Sequence, residues 1–403
     1  MKKLLKFIKY TIYTLLSLFL IAMLTIFAGH KYIYPIPYSS TPTVEDIRND
    51  EFCLGVGCHP HIETVEEFIP IFAQQIATHS RKAEKIWPDT KLGNLYALVQ
   101  SIEHNKGWLI SPKGDIEIIN RDKIVELAPN RPRYNIGFSH FANDTIEGVY
   151  LALSEKALNN YLEFQQYPHL GTYDLFITYT HEMFHMLEQD KRWAHPDEIL
   201  NAGRNDRLGD VDARTKRTLL YQQILQAVTA TDAATTDSLT LNLLATYKDY
   251  KNYYTEDYDN ARYFDRTEGT AHYYELVSSL YSAYPMQVYS CEKLMRALQL
   301  LAENKNIYDD EVGLVNSSYH IGGWTCVLLD KLSDDPNQWK QLIMEQGNTT
   351  PLDILEQLYA DRPLPEPLEY SDAMRERVKL KIEEEKNKKV APGIFRMLYQ
   401  LFY

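Results

Sequence analysis

Basic residues are too few in this chain to provide the positively charged surface that nucleic acids require. The 403 residues include 42 lysines and arginines and 55 aspartates and glutamates, so the net charge at pH 7 is −13. A protein that binds nucleic acid presents a basic face to the phosphates. The composition therefore excludes nucleic acid as the expected partner, and an apolar content of 45% suits a globular core.

Cysteine is also scarce, with four residues in the whole chain. Cys53 and Cys58 enclose four residues and are followed by His59 and His61. Three interpretations stay open: a local disulfide or free thiols, a second structural metal bound with the two histidines, or c-type haem attached through Cys53, Cys58 and His59. The usual haem attachment pattern has two residues between its cysteines, so this spacing departs from it.

Proline and glycine are both absent from 172 to 192, so no helix-breaking residue interrupts this stretch. It contains the pattern His-Glu-x-x-His at His181, Glu182 and His185. Residues four apart lie on one helix face, so the two imidazoles can point at one ion. Glu182 stands beside them and can take a proton from water bound to that ion. The pattern predicts a zinc site with its own general base.

A catalytic zinc ion needs a third protein ligand besides two histidines. The later segment 266–271 contains Glu-Gly-x-Ala, beginning at Glu268. With the His-Glu-x-x-His pattern, this segment resembles the gluzincins, zinc peptidases whose third ligand is a glutamate on a later helix. The resemblance implies that His181, His185 and Glu268 bind Zn²⁺. It also implies that the small Gly269 lets its helix approach the helix of the two histidines.

A third segment, 318–323, resembles the Tyr-x-x-Gly segment of the aminopeptidase branch of the gluzincins. This resemblance implies that Tyr319 donates to the oxyanion of the tetrahedral intermediate. His320 is the neighbouring candidate for that role, and ordinary helix packing is the alternative for Tyr319. His272 stands where thermolysin-like enzymes place an aspartate, so it could support the site, replace a ligand or pack in the core. The Gly-x-Met-x-Asn segment of aminopeptidases is absent, which leaves exopeptidase activity in doubt.

The resemblance implies zinc-dependent hydrolysis of peptide bonds in a peptide or protein substrate. Glu182 would take the proton of the metal-bound water, and Tyr319 would stabilise the oxyanion. Two other functions stay open. One is a catalytically idle, metal-binding ectodomain that binds a partner, and the other is a membrane-tethered c-type haem protein.

One long apolar run, Tyr10 to Ala28, has nineteen residues without a charge, and four lysines precede it. A helix of this length can cross the hydrocarbon core of a membrane. The preceding lysines predict a cytoplasmic amino terminus. We therefore expect a single-pass membrane protein, rather than one with a cleaved signal peptide. Its body would lie outside the cytoplasm, in the periplasm or the extracellular space.

The hydrophobic pattern predicts an α+β fold. Short β-rich runs lie between 108 and 153, and helical periodicity dominates after His185. With the resemblance, this implies a zincin-like lobe with a small sheet and the His-Glu-x-x-His helix, followed by a mainly helical lobe. We assign 148–152 to the edge strand of the sheet along the substrate cleft.

The same patterns predict five regions along the chain. They are a cytoplasmic tip and transmembrane anchor over 1–31, a tether over 32–46, an N-terminal α+β lobe over 47–170, a helical metallopeptidase lobe over 171–365, and a charged helix with an apolar C-terminal segment over 366–403.

Overall fold

The computed structural model describes most of the chain between 62 and 390. The described ranges are 64–104, 106–132, 136–155, 174–194, 209–288, 290–305 and 313–390, with residues 62, 158 and 307, the pairs 48–49 and 52–53, and scattered positions between 6 and 23. The chain divides into two compact units, one over 44–382 and one over 1–43 with 383–403. The first unit is mostly helical with one small sheet, which confirms the predicted α+β class.

A two-stranded ribbon, β1 (Arg48–Asn49) and β2 (Phe52–Cys53), precedes a five-stranded sheet. The sheet consists of β3 (Tyr96–Ser101), β4 (Lys106–Ile110), β5 (Ile116–Asn120), β6 (Ile136–Ala142) and β7 (Glu147–Leu153). Its spatial order is β5-β4-β3-β7-β6. Neighbouring strands are antiparallel except β3 and β7, which run parallel.

The prediction that 148–152 form the sheet edge is wrong, because β7 lies between β3 and β6. Every residue of β7 after Glu147 is buried. A strand that is buried on both faces reads as a continuous apolar run, as expected for an inner position. The edge strand on this side of the sheet is β6.

In the described chain, two helices precede the five-stranded sheet in sequence order, one lies between β5 and β6, and the remaining helices follow the sheet. Their bounds are α1 (Val65–Ser80), α2 (Ala83–Ile86), α3 (Arg121–Leu127), α4 (Asp174–Phe184), α5 (Asp190–Arg192), α6 (Val211–Thr229), α7 (Ala233–Tyr253), α8 (Thr255–Ala283), α9 (Cys291–Glu303), α10 (Leu314–Leu332), α11 (Pro336–Glu345), α12 (Pro351–Leu358) and α13 (Asp372–Val390).

The two faces of the sheet belong to two different cores. Alternate side chains such as Val99 and Leu151 join α1 and α4 in the main core. Their neighbours Leu98 and Tyr150 point the other way and pack with Ile124 of α3 in a smaller core. This alternation follows from the two-residue period of a strand. It places α4, which carries His181 and is followed directly by His185, against one face of the sheet.

The helices α8 and α10 cross at two glycines. A Cβ atom added to Gly322 would lie 2.1 Å from the Asp265 carbonyl oxygen and 2.6 Å from the Gly269 Cα atom. A Cβ atom on Gly269 would lie 2.4 Å from the Gly322 Cα atom. Gly269 therefore faces α10, so its small size serves the approach of α8 to α10.

A buried ion pair joins three helices close to this crossing. Arg217 of α6 is 2% exposed and donates to both carboxylate oxygens of Asp265 on α8, at 2.6 and 3.1 Å. The same guanidinium donates to the Ser318 hydroxyl of α10 at 3.0 Å. Bidentate geometry and further hydrogen bonds are what a buried charge pair needs. The pair fixes α6, α8 and α10 relative to one another.

The predicted membrane anchor is wrong. Among the described residues, no helix has the length and apolar character needed to cross a membrane. This finding overturns the single-pass anchor over Tyr10 to Ala28. It also overturns three predictions that depended on the anchor: the membrane as a partner, the cytoplasmic amino terminus and the placement of the body outside the cytoplasm.

Three other predictions lie outside the described residues. They are the tether over 32–46, the sites that involve Cys58, His59 and His61, and the apolar C-terminal segment after residue 390. The haem alternative and the local disulfide therefore stay untested, as do the predicted region boundaries within the body of the protein.

Candidate metal centre

Three side chains predicted as ligands converge on one point. The Nε2 atoms of His181 and His185 are 2.9 Å apart, and each lies 3.2 Å from Oε2 of Glu268. His181 is buried, whereas His185 and Glu268 are partly exposed. Within the described part of the chain, no other group of three histidine, cysteine or acidic side chains is arranged to hold a metal ion. The site therefore has two nitrogen donors and one oxygen donor.

The position of α4 follows from its apolar surface. Leu175, Phe176, Met183 and Phe184 are all buried in the main core. Tyr179 packs edge-on against Phe72 of α1, with 5.1 Å between ring centroids. Because burial of large apolar side chains fixes α4 on several sides, its remaining face, with His181, points toward α8.

A π-helical turn, His185–Gln189, continues α4 directly after its last residue. The backbone N–H of Asp190 donates to the His185 carbonyl, five residues earlier. Such wide turns occur often at functional sites. The sequence pattern predicts an ordinary helix here, since nothing in residue spacing distinguishes the two kinds of turn.

Glu275 contacts the ring nitrogen of His181 that does not face the other two ligands. Its Oε2 atom lies 2.9 Å from His181 Nδ1 in a buried ion pair. Its Oε1 atom accepts a hydrogen bond of 2.5 Å from Nδ1 of the fully buried His272. His272 therefore supports the site through Glu275 and is not part of the ligand group. Sequence reasoning missed Glu275, although a carboxylate in the apolar stretch 273–280 is a signal that could have found it.

The other two predicted residues face different surroundings. The Tyr319 ring stacks on the His181 ring, with centroids 5.2 Å apart and planes 8° from parallel. The His320 ring stacks instead on Tyr221, with centroids 5.4 Å apart. Of these two neighbours, Tyr319 is the one beside the ligands. Burial raises the pKa of Tyr319, and the charge of Glu268 raises it further.

Glu182 follows His181 directly in the chain. It is partly exposed and lies outside the group of three ligands. Its charge also contributes to the raised pKa of Tyr319. The site therefore has a carboxylate and a phenol next to the ligands but separate from them.

Hydrogen bonds among the ligands change the pKa of Glu268 and the pKa of His181 in opposite directions. Burial favours the uncharged form of Glu268, but its hydrogen bonds with His181 and His185 outweigh burial and lower the pKa of this carboxyl. Burial likewise opposes a charge on His181, but the Glu275 carboxylate and the bond to Glu268 outweigh it and raise the pKa of this histidine. A metal ion would have to displace this proton.

Comparison with known proteins gives no assignment. No family model, curated protein or solved structure matches this chain. The likeness to gluzincins rests on three short sequence segments, and membership of that class stays a prediction.

Proposed function

We propose that this protein is a zinc-dependent hydrolase of peptide bonds, in which the sheet and α4 form a zincin-like lobe. The observation that carries the proposal is the convergence of the His181, His185 and Glu268 donor atoms to within 2.9–3.2 Å of one another. Zinc bonds of 2.0–2.1 Å at tetrahedral angles separate neighbouring ligand atoms by roughly 3.3 Å. The observed spacings are close to that value.

The chemistry of the donors supports a cation at this point. Two imidazole nitrogens and a carboxylate oxygen repel one another at such distances unless a proton or a metal ion lies among them. Glu268 comes from α8, 83 positions after His185, so the convergence is not a by-product of one helix. Two histidines and one glutamate are also a ligand set of catalytic zinc sites, which leave one position open.

The remaining side chains have roles that suit hydrolysis. Zinc, when bound, supplies Lewis-acid activation of water and of the scissile carbonyl. Glu182 is the base that takes the proton of the attacking water and returns it to the leaving amine. Tyr319 donates a hydrogen bond to the oxyanion, and its raised pKa keeps the hydroxyl protonated for this purpose.

The edge strand β6 supplies a place for an extended peptide. It lies beside α4 and the π-helical turn, and described residues pair with it only on its β7 side. Backbone groups on an unpaired strand edge can accept an added strand. We therefore expect the substrate to be an unfolded segment of peptide or protein, held along β6 with its scissile bond at the metal.

The test is metal analysis of the purified protein, combined with digestion of a peptide library. Glu182→Gln should keep zinc and lose about 10²–10⁴ in the rate of cleavage, because the metal stays and the base is removed. Glu126→Gln, at an exposed position on α3, is the matched control and should retain the parental rate.

Three outcomes separate the candidates. Zinc in the protein without cleavage of any peptide would favour the catalytically idle metal-binding protein. Absence of zinc binding would contradict both the zinc-dependent hydrolase and the catalytically idle metal-binding protein. Full activity of Glu182→Gln would leave the metal centre in place but remove Glu182 as its base.

A further inference from the structure

Gln189 is a buried residue that uses both polar atoms of its side chain at the metal centre. The residue is 4% exposed and ends the π-helical turn. Its Oε1 atom lies 2.6 Å from His185 Nδ1. Its Nε2 atom donates to the Thr267 carbonyl and to the Thr270 hydroxyl, both at 2.8 Å. These two partners lie one residue before and two residues after Glu268.

The partners of Gln189 fix the direction of its amide. A backbone carbonyl can only accept, so the atom that faces Thr267 must be the NH₂ group. The Thr270 hydroxyl donates to the Arg266 carbonyl at 2.7 Å, which leaves its oxygen free to accept from Gln189 as well. The amide oxygen therefore faces His185.

The amide direction in turn fixes the tautomer of His185. An amide oxygen only accepts, so the proton of the neutral imidazole is on Nδ1. Once a metal ion displaces the proton shared with Glu268, the lone pair is on Nε2, the atom that faces His181 and Glu268. This is the tautomer in which His185 can bind a metal ion through Nε2.

We infer that Gln189 is a positioning residue with two linked tasks, an inference that rests on the proposed metal centre. It holds His185 in the metal-binding tautomer, and it joins that ligand to the helix turn that carries Glu268. The π-helical turn begins at the ligand and ends at the residue that orients it. His181 has a charged partner in Glu275, whereas His185 has this neutral one.

The test compares zinc affinity in Gln189→Met with that in Gln223→Met. Methionine keeps the length and burial of glutamine but makes neither hydrogen bond. Gln223 on α6 is 3% exposed and donates at 3.1 Å to the Thr246 hydroxyl, so its substitution also removes a buried bond, at a place with no link to the ligands. We expect Gln189→Met to weaken zinc binding ten- to hundredfold in chelator competition and to change the visible absorption of the Co²⁺-loaded protein. Gln223→Met should leave both unchanged.

A purely structural Gln189 would give a different result. Both variants would then lose thermal stability, while zinc affinity and the cobalt spectrum stayed at the parental values, and the inference would be overturned. Gln189→Leu, which also lacks both bonds, serves as the second variant if Gln189→Met does not fold. Because the readout is metal affinity, a parent that binds zinc but cleaves no peptide removes the proposed hydrolysis and leaves this test valid.

Discussion

Buried histidines in this protein differ in protonation because their neighbours differ. Burial lowers the pKa of His79 to about 4, and its partner, the Tyr274 hydroxyl at 2.7 Å, carries no charge. His181 is also buried, yet the carboxylates of Glu275 and Glu268 raise its pKa. His79 therefore stays neutral inside the protein, whereas His181 holds a proton until a metal displaces it.

We predict that His79 makes the fold sensitive to acid. Its ordinary pKa is 6.5, so between about pH 6.5 and pH 4 the unfolded chain binds a proton that the folded protein does not. The free energy of unfolding should therefore fall as pH decreases through this window, by up to about 1.4 kcal/mol per pH unit. Urea unfolding at several pH values should show a shallower slope for His79→Gln, which keeps a hydrogen-bonding group but does not titrate.

The control for this prediction is His104→Gln, because His104 is exposed in the folded protein. It should leave the slope at the parental value. An identical slope for His79→Gln and the parent would mean that His79 is protonated in the folded state as well.

At the residue scale, the sequence predicted the two ligands that lie close together along the chain. His181 and His185 are related by one helical turn, and that relation is visible in the spacing of letters. Glu275 reaches His181 across the contact between α4 and α8, and residue spacing within either helix does not encode the distance between them. Gln189 lies only four residues after His185, but it meets that ligand in a π-helical turn that the spacing does not predict. Glu268 was predicted only because a resemblance supplied the missing relation between the helices.

At the scale of elements, the crossing of α8 and α10 controls the geometry of the site. Glu268 precedes Gly269 directly on one helix, and Tyr319 lies about one turn before Gly322 on the other. Since the two glycines touch, the distance between these helices also sets the distance between the glutamate and the tyrosine.

We predict that Gly322→Ala destabilises the protein despite the better helix propensity of alanine. The propensity gain is about 1 kcal/mol, but the new Cβ atom would lie 2.1 Å from a backbone oxygen that no side-chain rotation can move. Overpacking of this kind costs about 1–3 kcal/mol or more. Urea unfolding should show the loss, and chelator competition should show weaker zinc binding. A variant at least as stable as the parent would mean that the helices separate without cost.

Strand order is the element-scale feature that sequence did not give correctly. The apolar run at 148–152 fits an edge beside a cleft as well as an inner strand, since either position can be apolar. In the structure β7 is buried on both faces, which is the condition that gives an inner strand its continuous apolar run. The parallel pairing of β3 with β7 is a contact between distant segments, and local pattern does not contain it.

At the scale of the molecule, the Arg217–Asp265 pair holds the helical part together. It is buried at both ends and joins α6 to α8, and its bond to Ser318 reaches α10. We predict that Arg217→Met lowers the free energy of unfolding by about 3–5 kcal/mol, because it leaves the Asp265 carboxylate buried without its partner.

The double variant Arg217→Met with Asp265→Leu should be more stable than Arg217→Met alone, because it removes the unpaired charge. A double-mutant cycle in urea measures the difference. Equal stability of the single and double variants would mean that solvent reaches Asp265 and that the pair contributes little.

The whole-molecule prediction that failed is the anchor. An uncharged run with preceding lysines satisfies the length and charge rules for a membrane span. Those rules judge composition alone, whereas the described residues contain no helix that meets the requirement. The α+β class did follow from composition and period, because alternation and helical spacing record which faces are buried.

The backbone contact between Gly269 and Gly322 also limits which substitutions this protein can accept during evolution. In a saturation library randomised at both codons, the clones that bind zinc as tightly as the parent should carry glycine at both positions. Even one added methyl group at either position should therefore be selected against, because it forces the two backbones apart beside the metal centre.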